Sequence, residues 1–327
     1  MKNVRSLIAV VVKKVWHMSQ LDVNNAFLHG DLNDEVYMEI PQGMTVDSSE
    51  LVCKLNKSLY GLKQANRRWY AKLTEALCSR SYAHSMYDYS LFYNKTENST
   101  VYIALYVDDI VVIRTDIMEF EDLKIFLNNN FMIKDLGRLH YFLGLEVLYK
   151  DDGVIISQRK FTLDLLKEYQ CTDYNSFTSP LDLIAKLKAK EREAVTDPTY
   201  YRKLVGKLNF LTNTSLDITY IVQNLSQFMD DPRQPHLKAA FHLLRYLKGD
   251  PTLGIFMSRD TNYTIRAYYD SDWATCSDSR KSLSGYLLLL GSSPVSWKSK
   301  KQDTISLSSA ETEYRALRKV VGGIVVA

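Results

Sequence analysis

The stretch Val101-Tyr102-Ile103-Ala104-Leu105-Tyr106-Val107-Asp108-Asp109-Ile110-Val111-Val112-Ile113 decides the fold. Two apolar runs rich in β-branched residues flank a pair of adjacent acids, the pattern of two buried strands joined at a tight turn. Adjacent carboxylates between such strands repel each other and cost stability unless a cation neutralises them. Working outward, His17 to Val23 reads as another strand, and Asp22 near its end can bring a third carboxylate to the same place. Three carboxylates on neighbouring strand ends form a cradle for two hard divalent ions, the arrangement of in-line phosphoryl or nucleotidyl transfer. Taken alone, an Asp-Asp pair also describes a solvated turn. Its neighbours decide.

Those neighbours form an ordered series. Gln20-Leu21-Asp22-Val23-Asn24-Asn25-Ala26-Phe27-Leu28-His29-Gly30 is followed by Lys57-Ser58-Leu59-Tyr60-Gly61-Leu62-Lys63-Gln64-Ala65 and then by the aspartate pair. Lys134-Asp135-Leu136-Gly137, Tyr141-Phe142-Leu143-Gly144-Leu145-Glu146-Val147 and Leu204-Val205-Gly206 come next. Leu244-Arg245-Tyr246-Leu247-Lys248-Gly249, Asp270-Ser271-Asp272-Trp273-Ala274 and Ser308-Ser309-Ala310-Glu311-Thr312-Glu313-Tyr314 close the series. Each string is weak alone. In this order, from about residue 4 to about residue 317, they resemble the polymerase core of copia-type retrotransposon Pol polyproteins.

Composition sets the frame. A chain of 327 residues holds two or three domains with ordinary cores, and a hydrophobic fraction of 46% is that of a globular protein. The net charge of +3 announces no polyanion partner, but local charge is informative. Lys54, Lys57, Lys63, Arg67, Arg68 and Lys72 form an acid-free island, and Arg280, Lys281, Lys298, Lys300 and Lys301 form another. Such islands suit phosphate contacts or, equally, solvated helix faces. The four cysteines (Cys53, Cys78, Cys171, Cys276) are scattered without metal-site spacing, as expected of reduced thiols in an intracellular protein. Leu7–Val12 reads as part of a helix, and no run reaches membrane-spanning length. Thr172–Ser179 and Arg259–Asn262 are the candidate boundaries.

The resemblance implies an α+β architecture: a reverse-transcriptase palm over residues 1–157, a helical thumb and connection over 158–260, and an incomplete ribonuclease H-like α/β unit over 261–327. It implies RNA-directed DNA polymerisation on a primer–template with deoxynucleoside triphosphates. Asp22, Asp108 and Asp109 would be the catalytic ligands of a two-metal Mg²⁺ (or Mn²⁺) site. Phe27 would be the steric gate against a ribose 2′-hydroxyl, a core phenylalanine being the structural alternative. Tyr60, Gly61 and Lys63 would border the nucleotide. Apolar residues at 62, 65, 69, 73 and 76 make one face of a helix, leaving Lys63, Arg67 and Tyr70 on another. Asn66 stands where the family usually has proline, which weakens the local geometry; Arg114, in place of a small residue, could pair with the aspartates.

Phe142 and Gly144 would belong to the primer grip, or simply to a strand bent at glycine. The helix Thr199–Asn213 buries Tyr201, Leu204, Val205, Leu208 and Leu211, and Lys203, Gly206, Lys207 and Phe210 fall on the opposite side. That face suits a thumb helix lying in a duplex minor groove, and by resemblance these four residues and Arg67 would contact nucleic acid. His236–Lys248 repeats the theme, with Leu237, Ala240, Phe241 and Leu244 inside and Lys238, His242 and Arg245 outside. Ala310, Tyr314 and Leu317 form a helical stripe beginning at Glu311. By resemblance Asp270 and Glu311 are the first two metal-binding carboxylates of a ribonuclease H site. Ser308-x-x-Glu311 is also a capping box, which explains the glutamate without chemistry.

By resemblance, the chain is expected to stop before that site's further aspartates, to end in an apolar tail (Val320–Ala327), and to start after the fingers that grip the triphosphate. The expectation is therefore a truncated polymerase, weakly active or inactive, without ribonuclease H activity. It would be intracellular, in the cytoplasm and not secreted, with other Pol domains as possible partners. The alternative is a non-catalytic nucleic-acid-binding remnant.

Overall fold

A computed structural model describes residues 2–45, 51–97, 99–182, 187–190 and 192–325. The chain divides into two compact units, residues 16–139 and residues 1–15 with 140–327. The first helix, α1 (Lys2–Lys13), contains the expected Leu7–Val12 run and belongs to the second of these.

The 16–139 unit follows the chain through β1 (His17–Val23), a 3₁₀ turn at Ala26–His29, β2 (Tyr37–Met38), β3 (Cys53–Lys54), α2 (Ala65–Ser79), β4 (Ala83–His84) and β5 (Leu91–Lys95). It continues through β6 (Thr100–Tyr106), β7 (Asp109–Arg114), α3 (Ile117–Phe131) and β8 (Ile133–Arg138). Six strands form one antiparallel sheet in the order β4-β5-β6-β7-β1-β8. The strand carrying Asp22 thus lies beside the second arm of the expected hairpin. Alternate residues Leu21, Val23, Ile103, Ile110 and Val112 share one hydrophobic core with Trp69, Leu73 and Leu77 of α2 and Phe120, Leu123 and Leu127 of α3. Side chains alternate between faces, so the helices cover one face, and Asp22 and Asp109, one step out of phase with Leu21 and Ile110, lie on the other. Helix α2 starts at Ala65 despite Asn66 in place of proline and a Gln64 N-cap that makes no side-chain bond. Packing of Trp69, Leu73 and Leu77 supplies what the cap does not.

The other unit runs through β9 (Tyr141–Phe142), β10 (Leu145–Lys150), β11 (Gly153–Ser157), α4 (Arg159–Glu168), α5 (Pro198–Leu211), α6 (Thr219–Ser226) and α7 (Gln234–Gly249). Then come β12 (Gly254–Ser258), β13 (Ile265–Asp272), β14 (Leu283–Leu290), β15 (Ser293–Lys301) and α8 (Ser309–Val325). Strands pair as β12-β11-β10-β9 and as β13-β14-β15. Helices α4 to α7 enclose a second core, and the five expected α5 residues, Tyr201, Leu204, Val205, Leu208 and Leu211, are all buried in it.

Three readings need correcting. The covered face of α8 is Thr312, Ala316 and Val320, while Tyr314 is 73% exposed. Thr312 bonds Ser282, so a threonine holds a core position that hydropathy assigns to surface. The expected apolar tail is helical as far as Val325; residues 326 and 327 lie outside the described ones. In α7, His242 and Arg245 do not stand free. His242 Nε2 bonds the Ser179 carbonyl at 2.9 Å, Arg245 Nε donates to the Asn175 carbonyl at 2.8 Å, and both sit on the Phe177 ring. The candidate boundary Thr172–Ser179 is therefore strapped to a helix. Arg259–Asn262 is likewise anchored, with Asp260 2.5 Å from Lys13.

Candidate functional site

The acidic turn is a two-residue loop, Val107-Asp108, closed by the pair Tyr106 and Asp109. Val107 takes φ 58°, the positive φ that a two-residue hairpin often needs at its first loop position and that glycine usually supplies. A β-branched residue there is strained. Two bonds hold it: Trp69 Nε1 donates to the Val107 carbonyl at 2.6 Å, and Val23 N donates to the Asp108 carbonyl at 2.9 Å. Trp69 is itself almost fully buried, wedged edge-on to Phe131. The turn is thus pinned from the core below and from the end of β1 beside it.

That register brings the three aspartates together. Asp22 lies directly opposite Asp109 across β1 and β7, and Asp108 is next in the chain. Gln20, two residues before Asp22 on the same face, donates from Nε2 to Asp109 Oδ1 at 2.9 Å. Burial is the main cause raising the Asp109 carboxyl above its usual range; Asp108 and Asp22 add to it and the Gln20 bond opposes it. The donor set is right for a hard divalent cation. Its side chains are not gathered into a closed chelate, since no group of three or more His, Cys, Asp or Glu among the described residues is placed to enclose an ion. Across the other edge of β1, Lys134 stands opposite Asp22, so a cation faces the carboxylates from β8. Arg114 does not. It sits at the far end of β7, opposite His17, donates to Ser19 Oγ at 2.6 Å and covers the Phe120 ring. Glu121 and Asp135 are its electrostatic partners, so competition with metal at the aspartates is ruled out by register.

Beside the aspartates lie the expected nucleotide residues. Asn25 adopts the left-handed conformation that the Asn24-Asn25 pair suggests, and starts the 3₁₀ turn carrying Phe27. The Phe27 and Tyr60 rings meet with centroids 4.3 Å apart. Burial raises the Tyr60 hydroxyl above the usual phenol range, and the charges of Asp108 and Asp22 add to it. Ser58 ties the two segments by donating to the Phe27 carbonyl at 2.6 Å. Gly61 has φ +95°, so the turn itself requires glycine there. Four members of the first basic island, Lys54, Lys57, Arg68 and Lys72, pair with Glu35, Asp31, Asp34 and Asp31. Lys63 and Arg67 are exposed and make no ion pair with another described residue.

The remaining predicted residues belong to the other unit. Leu143 and Gly144, at φ 54° and 79°, form a two-residue turn of type I′ character between β9 and β10. Phe142 is buried. Phe210 is not an exposed platform: it packs at 4.9 Å on Phe161 and directly over Gly144, where a Cβ would come 2.8 Å from its ring. Lys207 is paired with Glu168. Lys203 and Gly206 are exposed on α5.

Asp270 and Glu311 are not brought together. Asp270 and Asp272 line a cavity of about 400 Å³ with Asp217 and Tyr220 beside α6, on the face of the β13–β15 sheet opposite α8. Ser271 and Ser284 point the other way, toward Gln302 and Thr312. Glu311 sits in the first turn of α8, accepting from Leu307 N at 2.7 Å and pairing with Arg315 at 2.6 Å. Its own amide donates to Ser308 Oγ at 3.1 Å, the serine half of the expected capping box.

Sequence reasoning passed over Gln20, Ser58, Trp69 and Lys134. Gln20 had a signal, its period-2 spacing from Asp22. Helical spacing put Trp69 on the apolar face of its helix, but nothing signalled its indole bond, which is made across 38 residues.

An antiparallel sheet carrying aspartates at a hairpin turn and on the adjoining strand, with aromatic rings beside them, defines a class found among nucleic-acid polymerases. Comparison with known proteins agrees. The family described as "Reverse transcriptase (RNA-dependent DNA polymerase)" matches residues 1–183. The Retrovirus-related Pol polyprotein from transposon RE1 of Arabidopsis thaliana is 42% identical over 316 residues, 96% of this chain and 22% of that protein. The Retrovirus-related Pol polyprotein from transposon TNT 1-94 of Nicotiana tabacum is 34% identical, covering 97% and 24%. A putative transposon Ty5-1 protein of Saccharomyces cerevisiae is 30% identical over 90% of this chain and 97% of its own length. The chain belongs to the reverse transcriptase family, among the Pol polyproteins of copia-type retrotransposons. It spans about a fifth of the length of the plant polyproteins it matches.

Proposed function

We propose that the chain carries the RNA-directed DNA polymerase centre of a copia-type retrotransposon, with Asp22, Asp108 and Asp109 as its metal ligands. The observation that carries this reading is the register of β1 against β7, which sets Asp22 opposite Asp109 beside the Phe27–Tyr60 ring pair. Two Mg²⁺ or Mn²⁺ ions bound there would supply a lowered pKa at the primer 3′-hydroxyl and charge neutralisation at the triphosphate. The chain's own residues do the rest. Gln20 orients Asp109, Phe27 limits room beside the sugar, and Lys63 and Arg67 offer charge to phosphates. In this reading the palm spans residues 1–157, the thumb and connection 158–260 with Phe142, Gly144, Lys203 and Gly206 near the primer–template, and a ribonuclease H-like unit 261–327. The separation of Asp270 from Glu311 supports a last unit without nuclease activity.

A second reading, a nucleic-acid-binding protein without chemistry, is favoured by aspartates that are not gathered into a closed chelate among the described residues. Primer extension on a poly-rA/oligo-dT template with Mg²⁺ or Mn²⁺, beside an Asp108→Asn/Asp109→Asn control, separates the two. Incorporation lost in the control is the expected result. A folded, hybrid-binding chain that incorporates nothing in either metal overturns the polymerase reading.

A further inference from the structure

A cavity of about 310 Å³ lies between α8 and the β14–β15 hairpin, lined in part by Lys298 and Lys300 of the second basic island. Lys298, Lys300 and Lys319 line it together with Ser284 and Tyr286, and no acidic side chain does. Strand geometry explains the convergence. Lys298 and Lys300 are two apart on β15, so both project from the face that α8 covers, opposite Tyr286 and Ser284. Lys319 enters from α8, one turn beyond the buried Ala316. Gly323, a further turn on, leaves open the space above Tyr286 that a longer side chain would fill.

The Lys319 ammonium is shielded from water and has no hydrogen-bond partner among the described residues. A buried cation without a partner is destabilising, because it has lost its hydration and gained no counter-charge. Burial holds its pKa down, and Lys300, Lys298 and Arg315 push the same way. Asp303 is the opposing charge in reach, and it lies at the surface 3.5 Å from Lys300. Arg315 is already committed to Glu311. The cluster therefore has more positive charge than the protein neutralises. A hydroxyl completes the lining: Ser284 Oγ accepts from Gln302 at 2.8 Å and lies 3.4 Å from Ser271 Oγ.

We propose that this cavity binds a phosphate-class oxyanion, with Lys319 as the inner ligand and Lys298 and Lys300 at the mouth. Three ammonium groups and a hydroxyl converging from two sides match an acceptor with several oxygens. The proposal stands independently of the polymerase reading, since neither its residues nor its test involves the aspartates.

The test is isothermal titration and thermal unfolding of the full chain with inorganic phosphate and pyrophosphate, against sodium chloride at equal ionic strength. Saturable binding that raises the melting temperature is expected, with affinity at least tenfold weaker in Lys319→Met. That variant keeps the aliphatic packing and removes the unpaired charge, so in chloride it should melt no lower than the parent. Should it fail to fold, Lys298→Gln at the exposed mouth is the second variant, and a severalfold loss of affinity is expected. A single-stranded oligonucleotide distinguishes the source: displacement by phosphate in the parent but not in Lys319→Met assigns the site to a nucleic-acid phosphodiester, and no displacement assigns it to free phosphate. Absence of saturable binding, or equal affinity in parent and variants, overturns the proposal.

Discussion

The two acidic regions of this chain look alike as motifs and differ as structures. Around the Val107-Asp108 turn, strand register sets Asp22 opposite Asp109, and Gln20 and Trp69 hold the arrangement from two sides. In the β13–β15 sheet, Asp270 opens toward α6 while Glu311 closes the first turn of α8 on the other face. Carboxylates become a candidate site when neighbouring strands force them onto one face. Where each has its own local partner, no strand register draws them together.

The strongest way to break this contrast is Asp108→Asn. Primer extension should fall by at least about 100-fold, the scale of losing one preorganised charge-stabilising group. Glu311→Gln should leave extension unchanged. Removing the support instead of the acid is the next test. Trp69→Ala empties a fully buried site and frees the Val107 carbonyl, and should cost about 3–5 kcal/mol in urea unfolding. Gly144→Ala forces a Cβ to 2.8 Å from Phe210 at φ +79°, and should cost about 1–3 kcal/mol in the same measurement. Glu311→Gln breaks a partly exposed pair with Arg315, and should cost no more than about 1 kcal/mol.

The pH dependence sharpens the contrast further. Burial, aided by Asp108 and Asp22, raises the folded pKa of Asp109, so the folded chain holds this proton more tightly than the unfolded chain. Its contribution to stability is complete below the unfolded carboxyl range and is lost as pH rises through the folded pKa. Asp109→Asn should therefore flatten the fall in unfolding midpoint with rising pH in metal-free buffer. A divalent ion should stabilise the parent at neutral pH and not the variant.

Much of this was legible because it is periodic. The hairpin arms and all five buried positions of α5 follow from alternation and helical spacing. What was not legible depends on partners distant in sequence. The basic island of residues 54–72 appeared free of acids, yet four of its six cations pair with Asp31, Asp34 and Glu35. The face of α8 was misread because Thr312, not an apolar residue, is buried against Ser282. The separation of Asp270 from Glu311 was hidden for a related reason: a strand's sequence does not say which of its faces a later helix will cover.

The bond from the Trp69 indole to the Val107 carbonyl has an optical consequence. Indole emission responds to the field along its ring and to the strength of its N–H bond. Trp69 therefore reports on charge at the adjacent aspartates from inside the core. With Trp16, Trp273 and Trp297 replaced by phenylalanine, the chain becomes its own spectroscopic gauge of ion and nucleotide arrival, readable whether or not turnover follows.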